Sequence, residues 1–207
     1  MQSVALLVIA KQPLAGRVKT RLTPPFSPAQ AALLAGAALS DTLDAVGSAP
    51  AARRVLVFEG DASDWCPDGF EVVAQRPGEF GQRLQGAFED VGQPALLVGM
   101  DTPQLTAGHL RGAVEMLSDP DIDAVLGPTE DGGYWCVGFK SAVAGAFDGV
   151  PMSREDTYVH QHRRLRELGL RVGHQPLLRD VDTATDAHVV AAAAPTTRFA
   201  RTLEAIA

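Results

Sequence analysis

A chain of 207 residues and 21.8 kDa is long enough for one domain with a sizeable core, and residues 1–207 are expected to form a single unit. Apolar residues at 46% and charged residues at 21% exclude a disordered, fibrous or repeat-built chain. The net charge of -7 argues against nucleic acid or an anionic membrane as the main partner, while leaving room for a local basic cluster that holds phosphates.

The first element is the apolar run Val4 to Ala10, which ends at Lys11-Gln-Pro and reads as a strand buried on both faces of a parallel sheet. It is far below the roughly 20 residues of a membrane span and no basic residue precedes it, so neither a membrane span nor a targeting segment is expected. A helix follows from Pro28 to Val46, with Ser27 as its cap. Strands are expected at 55–58, 71–74, 95–98, 124–126 and 134–138, with a weaker one over 170–176. Helices fall between them, at 79–91, 106–117 and 155–168. The tail from Asp182 to Ala207 reads as helical and alanine-rich, divided at Pro195. Alternation of strand and helix with short connections predicts an α/β fold, a largely parallel, mixed sheet with helices on both faces. Ligands of such sheets bind outside the carboxyl ends of the strands.

Four segments carry chemistry at those ends. The loop after the first strand holds Lys11, Arg17, Lys19 and Arg21 with no acid among them, and Gly16 shapes its turn. Its cations and amides are expected to converge on phosphate oxygens. Arginine outnumbers lysine fifteen to three in the chain, so two lysines within nine residues of one another stand out. The glycine lies three residues before Lys19, which rules out an ATP-binding P-loop, and no Gly-x-Gly-x-x-Gly turn occurs for a dinucleotide. Asp101 directly follows an apolar strand on the same sheet edge, either as a metal-binding carboxylate or as an ordinary Asp-Thr-Pro turn residue. In Gly127 to Trp135, Glu130 and Asp131 offer carboxylates, and Gly132, Gly133 and Tyr134 suit contact with an acceptor; a plain hairpin turn with core aromatics is the structural alternative. In Arg179 to Asp186, Asp180 and Asp182 alternate on an extended segment and point the same way, so that one of them can supply a second carboxylate beside Asp101. Thr183 is placed to cap the helix that follows.

Cys66 and Cys136 form no Cys-x-x-Cys pair, and the five histidines show no ligand spacing. A reducing cytoplasm is the expected location, and the expected ion is magnesium or manganese rather than zinc, because every candidate ligand is a hard carboxylate. No Gly-x-Ser-x-Gly elbow supports a hydrolase.

These segments, KQPLAGRVKTRL, GEFGQRLQGAF at 78–88, LLVGMDTPQL at 96–105, GPTEDGGYWCVG at 127–138 and RDVDTATD at 179–186, resemble the glycosyltransferase-A-like nucleotide-diphospho-sugar transferase superfamily. Within it they are similar to a bacterial family of glycosyltransferases that includes arsenosugar-biosynthesis members. The first and last blocks also look like guanylyltransferases acting on 2-phospho-lactate or phosphoenolpyruvate. The resemblance implies a nucleotide over the first-strand loop, with Asp101 and Asp182 in the positions of metal-binding carboxylates. The Asp-x-Asp of many such enzymes reads Gly99-Met-Asp101 here and leaves one carboxylate. The implied reaction is sugar transfer from a nucleotide-diphosphate donor to a small acceptor; if it inverts the anomeric carbon a carboxylate must take the acceptor's proton, and Asp131 and Glu130 on their glycine-flanked loop are the candidates. Nucleotidyl transfer to a small phosphorylated acid with release of pyrophosphate is the alternative within enzymes, and a non-catalytic nucleotide-binding module the alternative outside them.

Overall fold

The computed structural model describes residues 4–92 and 94–206. In chain order the elements are β1 (Ala5–Lys11), a short 3-10 turn (Thr20–Leu22), α1 (Pro28–Ser48), β2 (Arg53–Glu59), β3 (Glu71–Ala74), α2 (Phe80–Val91), β4 (Ala95–Gly99), α3 (Ala107–Ser118), β5 (Ala124–Pro128), β6 (Tyr134–Phe139), α4 (Thr157–Glu167), β7 (Val172–His174), α5 (Ala184–Ala193) and α6 (Arg198–Ile206). The seven strands form one sheet in the order β3-β2-β1-β4-β6-β5-β7. All pairs are parallel except those of β6, which runs antiparallel to β4 and β5.

Continuous apolar strands force two covered faces. Alternate residues of β1 divide between them: Leu6, Val8 and Ala10 pack with α1 and α3, whereas Ala5, Leu7 and Ile9 pack with Leu84 and Phe88 of α2 and Leu165 of α4. A third apolar cluster joins Leu22 and Phe26 to α1, α5 and α6, with Val181 among its members. The tail divides near Pro195 as its sequence predicts, and α6 is fastened to α1 by Asp41, which accepts the Arg198 and Phe199 N–H groups at 2.9 and 2.8 Å.

The predicted caps form. Ser27 Oγ accepts the Gln30 N–H at 3.2 Å, and Gln30 Oε1 accepts the Ser27 N–H at 2.8 Å. Ser27→Ala should therefore lower stability by about 1 kcal/mol, measured as a shift in the urea midpoint without a change in slope. Reversal of direction at β6 places the Thr129 to Gly133 turn at the same sheet edge as the ends of β1 and β4. No helix among the described residues is long and apolar enough to cross a membrane.

Candidate functional site

Register brings the first two segments together. β1 and β4 are parallel neighbours with Ile9 opposite Gly99, so Lys11 and Asp101 leave the sheet side by side. The other two arrive by a different route. Thr129 and Leu178 form an isolated parallel bridge, Glu130 N–H donates to Leu178 O at 3.0 Å, and Val181 N–H donates to Asp101 O at 2.9 Å. Asp180 and Asp182 are thus threaded between Asp131 and Asp101. Val181 is 1% exposed and anchored in the core, so the alternation of an extended chain turns both flanking aspartates into the cleft.

The cleft has a volume of about 1200 Å³. Lys11, Lys19, Arg21, Asp101, Asp131, Asp182, Gly133 and Tyr134 line it, together with Asp180 and Thr102. One carboxylate oxygen from each of Asp131, Asp180 and Asp182 lies within 4.8 Å of the others. This trio of hard oxygen donors fits a hard divalent ion. Asp101 stands beside it rather than in it. Asp131 is held by its own turn: the Thr129 hydroxyl and the Gly133 N–H donate to Oδ1 at 2.6 and 2.8 Å.

Lys19 is the best buried of the basic-loop cations, its side chain 9% exposed. Its Nζ lies 2.9 Å from Asp101 Oδ1 and 3.0 Å from Asp182 Oδ1, and Arg21 Nη1 lies 3.1 Å from Asp182 Oδ2. Its backbone is left-handed, with φ of 47°. Burial pushes the ammonium of Lys19 down, but attraction to Asp101 and Asp182 outweighs burial and leaves it above its ordinary value. Asp180 behaves oppositely. Burial, followed by repulsion from Asp131 and Asp182, pushes its carboxyl up to about 7 against the pull of Lys19.

Four of the expected residues, Gly16, Arg17, Glu130 and Gly132, lie outside the cleft lining. Gly16 and Arg17 are exposed on the basic loop and do not line it. Glu130 pairs with Arg179, which also holds Asp186 at 2.8 Å, so Glu130 is turned away from the trio. Gly132 is packed against the segment just before α4: a Cβ there would lie 1.8 Å from Glu155 O, and its φ is 87°. Gly132→Ala should cost about 2 kcal/mol or more by thermal unfolding, with divalent-ion binding disturbed through Asp131. Tyr134 lines the cleft, and its hydroxyl, raised far above its ordinary range by burial, donates to Gln161 Oε1 at 3.3 Å.

Residues without an assigned role in the sequence also reach the cleft. Phe80 and Arg83 come from α2 with the guanidinium 5.4 Å from the ring centre, and Arg154 and Asp156 come from the segment before α4. Phe80 and Arg83 belong to the GEFGQRL block, whose amphipathic pattern marks a helix without showing which end meets a ligand.

This fold, with its cleft beyond the carboxyl ends of β1 and β4, is that of the glycosyltransferase-A-like nucleotide-diphospho-sugar transferase superfamily. The chain belongs to the DUF2064 family, described as an uncharacterized protein conserved in bacteria, whose pattern matches residues 42–154, more than half of the chain. No curated protein matches it. A solved structure from Desulfovibrio desulfuricans G20, provisionally assigned as a nucleotide-diphospho-sugar transferase, is 27% identical with a TM-score of 0.88, over 99% of this chain and 95% of that one. CMP:2-keto-3-deoxy-manno-octonic acid synthetase complexed with CTP is 14% identical with a TM-score of 0.62, over 94% and 99% of the two chains. Rv0371c from Mycobacterium tuberculosis H37Rv, in complex with manganese, is 20% identical with a TM-score of 0.54, over 91% and 98%.

Proposed function

We propose that the chain, acting as one domain, is a nucleotide-dependent transferase that moves a sugar from a nucleotide-diphosphate donor to a small acceptor in the bacterial cytoplasm. The observation that carries this reading is how the cleft's charges are distributed. Of the cations lining it, Lys19 and Arg21 are engaged by Asp182, Arg83 by Glu59 and Arg154 by Asp156; only Lys11 has no carboxylate partner among the described residues. A diphosphate linked to a sugar carries less negative charge than a triphosphate, so a cleft in which Lys11 alone among the lining cations has no carboxylate partner suits the sugar nucleotide better.

In this reading Asp131, Asp180 and Asp182 hold a magnesium or manganese ion, which when bound would neutralise charge on the diphosphate leaving group. Asp131, expected from the sequence to take a proton from the acceptor, is here assigned to the ion, because its carboxylate lies with the other two. Lys11 and Arg21 flank the phosphates, and Gly133 and Tyr134 line the acceptor side. The likeness to the Desulfovibrio protein over nearly its whole length supports the assignment to sugar transfer. Nucleotidyl transfer is the second reading, favoured by the Lys19 ammonium, whose third hydrogen is left over for a phosphate after its two carboxylates are served.

A panel of nucleotide sugars incubated with the protein and manganese tests the choice. Consumption of at least one donor with release of its nucleoside diphosphate is expected. Pyrophosphate released from a nucleoside triphosphate, with every nucleotide sugar left intact, would overturn sugar transfer in favour of its rival.

A further inference from the structure

The cleft's own charges bear on how many ions it takes, an inference that rests on the reading of the site as one for a divalent ion. Asp101, Asp131, Asp180 and Asp182 gather at one sheet edge, and two fixed cations, Lys19 and Arg21, are paired with them. Four carboxylates against two cations leave two negative charges, the complement of a single divalent ion. Asp101 and Asp182 share one cation, the Lys19 ammonium, at the hydrogen-bond distances of 2.9 and 3.0 Å, where a magnesium ion bridging two carboxylates would draw their oxygens in to about 2.1 Å. The ammonium is fixed there by the chain: the left-handed backbone at Lys19 opens the 3-10 turn Thr20–Leu22, and Leu22 is fully buried. Thr102, next to Asp101 and 2% exposed, is also among the residues that line the cleft, and its buried hydroxyl has no hydrogen-bond partner among the described residues.

We propose that the Lys19 ammonium is a built-in second cation: it fills the place between Asp101 and Asp182 that a second metal would take, so that the site binds one divalent ion, on Asp131, Asp180 and Asp182. Asp101 then acts as a positioning residue that holds Lys19 and does not touch the ion. Asp182 is the shared member, oriented by Lys19 and Arg21 so that it can complete the trio.

The test is the stoichiometry of manganese binding by the full chain without nucleotide at pH 8, read by electron paramagnetic resonance of free Mn2+ and by calorimetry. The wild-type protein should bind one equivalent and Lys19→Met two, because removing the ammonium frees Asp101 and Asp182 for a second ion. Asp101→Asn, which leaves Lys19 paired with Asp182, should still bind one equivalent with a Kd within about threefold of wild type, and it provides the decision if Lys19→Met does not fold. One equivalent at unchanged affinity in folded Lys19→Met would overturn the proposal and leave the divalent-ion reading standing. Two equivalents in the wild type, or a tenfold loss of affinity in Asp101→Asn, would overturn it as well by making Asp101 a ligand. No manganese bound by the wild-type protein at millimolar concentration would remove the divalent-ion reading itself.

Discussion

Asp131→Asn should reduce turnover about 100-fold or more and weaken manganese binding in parallel, since even partners one shell removed from a metal are worth about 10–100-fold. The substitution keeps the shape of the side chain, and the Thr129 hydroxyl and Gly133 N–H can still donate to an amide oxygen in place of Oδ1. What it removes is a negative charge within 4.8 Å of Asp180 and Asp182. The turn should therefore survive while the ion loses a ligand, and thermal stability without metal should be unchanged or higher. Glu130→Gln is the contrasting variant. Its carboxylate faces Arg179 at a partly exposed position, where an ion pair contributes roughly 1 kcal/mol or less, so both turnover and manganese affinity should stay near wild type. Loss of turnover in Asp131→Asn with manganese affinity untouched would return Asp131 to the role of general base. A loss of turnover in Glu130→Gln as large as in Asp131→Asn would bring Glu130 into the site's chemistry as well.

The elements of this fold are legible because each strand carries its own evidence: an apolar run of strand length, bounded by a turn residue, has few other places to go in a layered protein. What the sequence leaves open is what depends on register. Asp180 and Asp182 read as a pair pointing one way, but which of them meets a partner depends on the bridge from Thr129 to Leu178 and on the burial of Val181, both long-range facts. The sequence places Lys19 with the phosphates because its neighbours are basic, whereas the acids that engage it are about 80 and 160 residues further along the chain. Gly132 and Gly133 look alike in sequence and part in the structure: a Cβ at Gly132 would collide with the Glu155 carbonyl, whereas Gly133 lines the cleft, where a Cβ would crowd Thr129 Oγ1 and Asp131 Oδ1 at 3.0 and 3.1 Å. Hairpin turn and site are alternatives for 127–135 in the sequence, yet the turn between β5 and β6 is also what aims Asp131.

The second large effect is a coupling of stability to pH and divalent ions. The folded-state carboxyl of Asp180 sits at about 7, above the roughly 4 of an unfolded aspartate, so the folded chain holds a proton in this window that the unfolded chain has released. Its contribution to stability is fully present below about pH 4 and is lost as the pH rises through 7. At pH 8 Asp180 is mostly ionised and is repelled by its neighbours Asp131 and Asp182, which is also when the trio binds a cation best. Manganese at about a hundredfold its Kd should then add about 2.7 kcal/mol, or roughly 5–10 °C in melting temperature for a chain of this size. At pH 5 the proton on Asp180 competes with the ion, and the same manganese concentration should raise the melting temperature much less. Asp180→Asn removes the titrating group, so it should flatten the decline in stability between pH 5 and 8 and remove most of the manganese effect at pH 8. Thermal unfolding of both proteins at the two pH values, with and without manganese, reads all of these at once. A manganese-induced rise of the same size at pH 5 and pH 8 would show that the ion does not compete with the proton on Asp180 and would place it elsewhere in the cleft.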